Sequence, residues 1–206
     1  MRYQPLLGKP TPPNIVRDLR ALTPDRPLRA SEALDLAELQ ANRLLLLTGQ
    51  QYASPVPISI ITDLPHFTLQ HDPQLPIAGA SYWDAEARSW VIRLSPTISS
   101  GRRRFRLLHE FKHILDFASG RPGGHACGRH GTDSDLEAAA DHFAASVLLP
   151  KRAIRDLAAH EGHLVPSLVA ARFDVPEAIA EARLRQLGLL APRASYLTAR
   201  RPEVMP

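Results

Sequence analysis

A His-Glu-x-x-His sequence at residues 109–113 constrains what this chain can fold into more than any other feature. The surrounding residues follow a helical apolar pattern, and about one helical turn separates the two histidines. Both imidazoles therefore lie on one helix face, where they can bind a single divalent metal ion. Glu110, beside them, can take a proton from a water molecule on that ion. The motif thus predicts a metal ion, a hydrolytic reaction and the roles of three residues.

The segment 101–119 is predicted to form the helix that carries this motif. At about 100° per residue, His109, His113 and Asp116 fall within a narrow arc. The opposite side is apolar and holds Leu107, Leu108, Phe111, Ile114, Leu115 and Ala118. We expect the apolar side to pack into the core and the histidine side to face a cleft.

A third ligand is expected from the next predicted helix, residues 134–149. Catalytic zinc sites typically have three protein ligands and leave a fourth position for water. Glu137 is the best candidate, and Asp141 follows it by one turn, among alanines small enough to let two helices approach closely. Asp141 can accept the outer N–H of a ligating histidine, which orients the ring. The set His109, His113 and Glu137 suits Zn²⁺, and the choice between zinc and another divalent metal such as manganese or iron stays open.

Two other ligand arrangements fit the sequence less well. Some zinc sites take a third ligand six residues after the second histidine, but that position is Ser119 here. Asp116 could bind the ion from three residues after His113, but three ligands would then crowd one helix. We therefore expect Asp116, like Asp141, to support the ligands rather than to bind the metal.

Proline and glycine positions divide the rest of the chain. A helix is predicted from Ser31, a suitable N-cap, to Thr48, where Gly49 ends it. Two stretches rich in β-formers, 80–83 and 89–94, are predicted to form an antiparallel hairpin. The predicted segments are a proline-rich arm at 1–30, a core at 31–150, a helical module at 151–190 and a tail at 191–206.

Composition excludes several classes of protein. Apolar runs such as 44–47 are far shorter than the roughly 18 residues that a membrane-spanning helix needs. No stretch suited to a signal peptide is visible near the N-terminus. Cys127 is the single cysteine, so an internal disulfide is excluded and a reducing cytoplasm is expected. The formal net charge of +4 permits contact with nucleic acid without requiring it.

Taken together, these motifs resemble the ImmA/IrrE family of zinc metallopeptidases. The resemblance lies in Arg-Arg-Arg-Phe-x-Leu-x-His-Glu-Phe-Lys-His-Ile-Leu-Asp at 102–116, in Glu-x-x-Ala-Asp-x-Phe-Ala-Ala-x-x-Leu-Leu-Pro at 137–150, and in Gly-x-Ser-x-Trp…Trp-x-Ile at 79–92. It implies an α+β fold with a zincin-like metallopeptidase core, made of helices and a small antiparallel sheet, and a C-terminal helix-turn-helix-like module.

The resemblance also implies residue roles and a substrate. His109, His113 and Glu137 are expected to bind zinc, and Glu110 is expected to act as general base. The expected substrate is a DNA-binding transcriptional repressor, whose cleavage would switch on a mobile element or a stress regulon. Asp141 stands where many relatives have asparagine, which is compatible with the supporting role argued above.

The segment 167–184 resembles a helix-turn-helix, with its turn at 174–176. Members of the family commonly carry such a segment after the peptidase core. Its second helix offers Arg183 and Arg185 but also acidic residues, a poor balance for contact with DNA phosphates. A packing or substrate-docking role is therefore favoured over direct DNA binding. The alternative function is a non-catalytic regulator that binds a repressor or DNA through this segment.

Some residues around the motif have open or secondary roles. The group that stabilises an oxyanion is left open, with Tyr82, His142, His160 and His163 as candidates. An extended substrate is expected to add as a strand to the edge of the hairpin that holds Trp83 and Trp90. The arginines at 102–106 are expected to pair with acidic residues of neighbouring helices, because positive charge opposes the dipole at a helix N-terminus.

Overall fold

The structure, a computed structural model, describes residues 14–117 and 133–190 of the chain. The first half of the predicted arm, the predicted tail and the segment that holds Ser119 and Cys127 lie outside the described residues. In chain order the described elements are α1 (Ile15–Arg20), α2 (Ala30–Thr48), α3 (Ser59–Thr62), β1 (Phe67–His71), β2 (Gly79–Asp84), β3 (Ser89–Leu94), α4 (Ser100–Asp116), α5 (Asp133–Leu148), α6 (Lys151–Glu161), α7 (Pro166–Phe173) and α8 (Glu177–Gln186). None of the helices in these two ranges has the length and hydropathy of a membrane-spanning segment.

The start of α2 differs from the prediction, while its end agrees. Ser31 was predicted as the N-cap, but Arg29 occupies that position and the helix begins at Ala30. The Glu32 carboxylate accepts a hydrogen bond from the Arg29 backbone N–H at 2.9 Å, which caps the helix from inside its first turn. Gly49 ends the helix in the left-handed conformation, with φ of 69°, as expected for a C-terminal glycine.

The three described strands form one sheet in the order β1-β3-β2. β2 and β3 are antiparallel, as predicted for the hairpin, and pair Trp83 with Trp90. β1 was not predicted, and it pairs with β3 in parallel. The sheet is therefore mixed, and the expectation of a purely antiparallel sheet was wrong. A strand of five residues with a partner far along the chain lacks the local signal of a hairpin.

One face of the sheet packs on α4. The ring of Phe67 lies 5.5 Å from that of Phe111, and the ring of Trp90 lies 5.1 Å from that of Phe117. Strand alternation puts Leu94 on the same face as Trp90, and Leu94 is buried. The apolar side of α4 thus packs into the core, as the sequence predicts.

α5 packs against both α2 and α4. Ala139, Ala140 and Ala144 of α5 are buried, as are Ala37 and Ala41 of α2. Because interaxial distance depends on the side chains at the contact, these small residues let the helices approach closely. The packing of α5 therefore sets how near its polar residues come to the motif on α4.

The turn between α7 and α8 packs on the first turn of α4. A Cβ atom at Gly101 would lie 3.1 Å from the backbone of Val175, so the backbones of the two segments pack closely and leave little room for a side chain at residue 101. The Ser100 hydroxyl donates to Asp174 Oδ2 at 3.1 Å, and Arg104 Nε lies 3.4 Å from the same oxygen. The predicted pairing of the arginines with acidic residues is confirmed for Arg104.

A buried ion pair ties α8 to α2 and α5. Arg183 of α8 is 2% exposed and donates to both Glu38 oxygens of α2, at 2.7 and 2.8 Å. On α5, the Ser146 hydroxyl donates to the same carboxylate at 2.6 Å, and His142 Nε2 lies 3.1 Å from it. Burial by itself raises the pKa of Glu38, but the hydrogen bonds with His142 and Arg183 and the charge of Arg183 hold that pKa well below its usual range.

We expect Arg183→Met to lower the free energy of unfolding by about 2 kcal/mol at neutral pH, because it leaves the half-buried carboxylate of Glu38 without its counter-charge. The low pKa of Glu38 means that the pair stabilises the fold fully above the pKa of an unfolded glutamate, about 4.3. The difference between wild type and variant should therefore shrink as the pH falls below that value. Urea unfolding at pH 7 and at about pH 3, well below the unfolded pKa, measures both effects.

Arg172→Met is the matched control. Arg172 pairs with Glu161 at 3.3 Å, and both side chains are about half exposed, so this substitution should cost less than about 1 kcal/mol. Equal losses for the two arginine variants would contradict the structural role assigned to Arg183.

Candidate metal centre

α4 holds both histidines of the motif in contact. His109 and His113 have ring centroids 4.7 Å apart, and their Nε2 atoms lie 3.0 Å apart. His109 is 2% exposed, and the ring of Phe105 packs near it at 6.5 Å. On the face of α4 that was predicted to face a cleft, His109 is therefore buried and His113 is partly accessible.

Glu137 of α5 completes a group of three potential ligands. Its Oε2 lies 3.2 Å from His109 Nε2, and its Oε1 lies 3.2 Å from His113 Nε2. In tetrahedral zinc sites with bonds of about 2.0–2.2 Å, ligand atoms lie about 3.3–3.6 Å apart, close to the spacing seen here. Two imidazoles and one carboxylate are also a donor set of catalytic zinc sites. The residues therefore fit Zn²⁺. We refer to His109, His113 and Glu137 as the triad.

Asp141 lies against the outer side of one imidazole. His109 Nδ1 and Asp141 Oδ1 are 2.7 Å apart, so the ring bonds to Asp141 through Nδ1 and turns Nε2 toward the triad. The contact that the sequence predicts is present, and the effect of Asp141 on metal binding stays a prediction. Carboxylates in this position orient a ligating histidine and raise its basicity.

The lowered pKa of His113 favours metal binding. Burial lowers the pKa of His113, and the positive charge of His109 lowers it further. The carboxylates of Glu110, Glu137 and Asp116 act in the opposite direction without reversing the shift. Neutral imidazole is the form that binds a metal ion, so this environment prepares His113 for that role.

Asp116 does not make the contact that was expected of it. Its Oδ1 lies 2.5 Å from Nζ of Lys112, one turn earlier on α4, and both side chains are nearly buried. Among the described hydrogen bonds, none joins Asp116 to His109 or His113. The reason is that a buried lysine needs a counter-charge, and Asp116 supplies it.

Glu110 is held by β2. The Ser81 hydroxyl donates to Glu110 Oε2 at 2.9 Å. A Cβ atom at Gly79 would lie 3.1 Å from Glu110 Oε1, so the strand passes close to this carboxylate because residue 79 is glycine. Sequence reasoning assigned no role to either residue. The Gly-x-Ser spacing, which puts two small residues on one face of a strand, was the available signal.

The four candidates for oxyanion stabilisation have other surroundings. His142 lies against Glu38, as described above. Strand alternation turns Tyr82 to the sheet face opposite that of Ser81. His160 Nδ1 lies 2.7 Å from a backbone carbonyl oxygen of its own helix, and His163 is exposed. Within the described residues, no contact joins any of these four to the triad.

A comparison with protein families decides the chain's relationship. The model of the Peptidase M78 family, described as the IrrE N-terminal-like domain, matches residues 66–185. The chain belongs to this family. The matched range runs from the start of β1 almost to the end of α8 and includes Glu110 and the whole triad. The resemblance to ImmA/IrrE proteins is thereby confirmed.

A solved structure described as a Mycobacterium tuberculosis transcriptional regulator has a similar fold, with a TM-score of 0.50 and 16% sequence identity. The match covers 84% of this chain and 52% of that chain, so this chain spans about half the length of the regulator. At this identity the likeness concerns the fold alone. Among curated protein sequences, none matches the chain significantly.

We expect the protein to bind one Zn²⁺ per chain and Asp141→Ala to weaken that binding about 10- to 100-fold, because His109 loses the group that orients it. His113→Ala should abolish stoichiometric binding, since it removes a donor of the triad. Competition with a chromophoric chelator measures the affinity, and elemental analysis gives the stoichiometry.

Asp156→Ala is the control for a lost surface carboxylate. Asp156 is exposed on α6 and should leave the zinc affinity unchanged. If His113→Ala binds zinc as tightly as wild type, the triad is not the metal site.

Proposed function

We propose that this protein is a zinc-dependent endopeptidase that cleaves a DNA-binding transcriptional repressor. The observation that supports it most is the geometry of the triad: the two Nε2 atoms lie 3.0 Å apart, and each lies 3.2 Å from a different oxygen of Glu137. Membership of a metallopeptidase family agrees with this chemistry. The ligands His109, His113 and Glu137 and the base Glu110 are part of the proposal.

The proposed reaction uses Glu110 as the group that moves a proton. When bound, zinc supplies a Lewis acid that polarises the scissile carbonyl and lowers the pKa of water. Glu110 accepts a proton from the attacking water and delivers it to the leaving nitrogen. Ser81 fixes one oxygen of Glu110 by its hydrogen bond, which leaves the other oxygen for this transfer. Glu110 is 7% exposed, so little bulk water competes for the carboxylate.

The choice of a repressor as substrate rests on two supports. The first is the resemblance of the motifs to ImmA/IrrE proteins. The second is the structural neighbour, which carries the description of a transcriptional regulator and therefore suits a regulatory role for this fold. A repressor acts where the DNA is, so we propose the cytoplasm as the location. Cleavage would then relieve repression of the genes that the repressor controls.

The alternative, a non-catalytic protein that binds DNA through α7 and α8, has less support. Arg183, one of the two arginines expected to reach phosphates, is buried and bonded to Glu38. Arg185 donates to Glu181 on its own helix. DNA binding depends on cations that are free to contact phosphates, and these two already have carboxylate partners.

Co-expression with helix-turn-helix repressors from the same genome tests the proposal. Wild type should convert one such repressor to fragments, and Glu110→Gln should cleave it at least about 100-fold more slowly, because glutamine cannot accept the proton. Glu110→Gln should still bind zinc. Immunoblotting of the repressor over time measures the rates.

Glu86→Gln is the control for a lost carboxylate, since Glu86 lies exposed in the turn between β2 and β3. Equal cleavage by wild type and Glu110→Gln would remove Glu110 from the mechanism. Specific retardation of a DNA fragment by the protein, without any cleavage, would favour the alternative.

We further expect Ser81→Ala to lower kcat about tenfold with little change in KM, because Glu110 loses a hydrogen bond that orients it. The zinc content should stay at the wild-type level, since Ser81 contacts no member of the triad. Tyr82→Phe is the matched control, because it removes a hydroxyl from the opposite face of the same strand. Loss of zinc from Ser81→Ala would show that Ser81 supports the metal site instead.

A further inference from the structure

A large apolar cavity lies beyond the C-terminal end of α4, between α1 and the sheet. Its volume is about 900 Å³, which is within the range of about 300–1,000 Å³ that is common for ligand sites. The apolar part of its lining includes Ile15, Val16, Leu64, Phe67, Trp83 and Trp90. We call this space the tryptophan cavity.

The tryptophan cavity is next to the proposed active site, because β2 runs along α4. Ser81 of β2 bonds Glu110, and Trp83 follows two residues later on the same face. The ring of Trp83 packs edge-on to Trp90, at 5.4 Å, and Trp90 packs on Phe117, the residue after α4. Two residues along the strand and two turns along the helix put the cavity about 7–10 Å from Glu110.

The cavity lining carries cationic arginines, and its other polar side chains are Asn14 and His66. Arg17, Arg20 and Arg88 line it, and its described lining residues include no carboxylate. Arg20 donates to two backbone carbonyls near the C-terminus of α4, at 2.6 and 3.2 Å, so its guanidinium forms a fixed part of the wall. Arg17 and Arg88 lie at the exposed rim, where Arg17 also contacts Asp18 of its own helix. This charge distribution favours an apolar group with an acidic neighbour.

We propose that the tryptophan cavity is the specificity pocket of this peptidase and binds a bulky apolar side chain of the substrate. That side chain belongs to a residue two or three positions from the cleaved bond, and an acidic residue is its neighbour in the substrate sequence. The inference rests on the peptidase function proposed above. It adds the class of substrate side chain and names Trp83 as a specificity-determining residue.

The free edge of β2 supplies the geometry. Among the described strands, β2 pairs with β3 alone, so an extended substrate can pair along its other edge. Alternate residues of that substrate point to the face that Ser81 and Trp83 share. When the substrate residue beside Ser81 is at Glu110, the residue beside Trp83 therefore points into the tryptophan cavity.

The first experiment compares cleavage sites in a mixture of bacterial proteome peptides by mass spectrometry. Wild type should prefer Phe, Leu, Met or Trp over Ala at one fixed position near the cleaved bond by at least about tenfold. Trp83→Ala should reduce that preference to about twofold or less and still cleave. Tyr82→Ala, which changes the next residue on the opposite face, should keep the wild-type preference.

Val16→Phe tests the same cavity from α1, in case Trp83→Ala folds poorly. It fills part of the cavity and should reduce cleavage next to Trp and Phe more than cleavage next to Leu. An unchanged profile in folded Trp83→Ala and Val16→Phe would overturn the proposal.

The second experiment measures binding without cleavage, in zinc-loaded Glu110→Gln. The probes are two fluorescein-labelled pentapeptides, Ala-Asp-Phe-Asp-Ala and the same peptide with alanine in place of phenylalanine. The phenylalanine peptide should bind at least about tenfold more tightly, and adding Trp83→Ala should remove the difference. Equal binding of the two peptides to Glu110→Gln would overturn the pocket. Discrimination between them, together with no cleavage of any peptide by wild type, would instead overturn the peptidase function and leave the pocket.

Discussion

The approach of α5 to α4 is the constraint on which the metal centre depends, because one candidate ligand comes from a different helix than the other two. Glu137 reaches both imidazoles at 3.2 Å, and an error of about 0.5 Å in such a site already disturbs its geometry. The buried alanines of α5 hold the helices at this distance, since a larger side chain would have to push them apart. Asp141, one turn after Glu137, uses the same approach to contact His109.

The parts of the structure that sequence could predict are those with local causes. The His-Glu-x-x-His spacing and the apolar period around it determine α4, and helical periodicity alone brings Glu137 and Asp141 to one face of α5. The hairpin follows from two β-rich stretches with a short connection between them. The grouping of the triad needed one further assumption, that α5 packs beside α4, and the alanines of α5 were the signal for it.

The parts that sequence could not predict depend on contacts between distant segments. β1 joins the sheet by pairing in parallel with β3, and the sequence of neither strand indicates which strand it pairs with. Asp116 shares a helix face with the histidines, but its carboxylate accepts a hydrogen bond from Lys112. Lys112 is buried because of the tertiary packing around α4. Ser81 and Gly79 meet Glu110 only because the sheet packs on α4. Periodicity tells which face a residue occupies, and the partner on that face is decided by the assembled fold.

The ion pair between Arg183 and Glu38 limits how far the protein can be treated as separable modules. His142, which lies against Glu38, directly follows Asp141 on α5, so α8 is anchored one residue from the group that orients His109. Residues of α7 and α8 also belong to the same apolar cluster as α2, α4 and α5. Therefore α7 and α8 do not form an independent unit that could be exchanged between related proteins. A related protein that received α8 would need an acidic residue at the position of Glu38, because the buried guanidinium of Arg183 would otherwise lack a counter-charge.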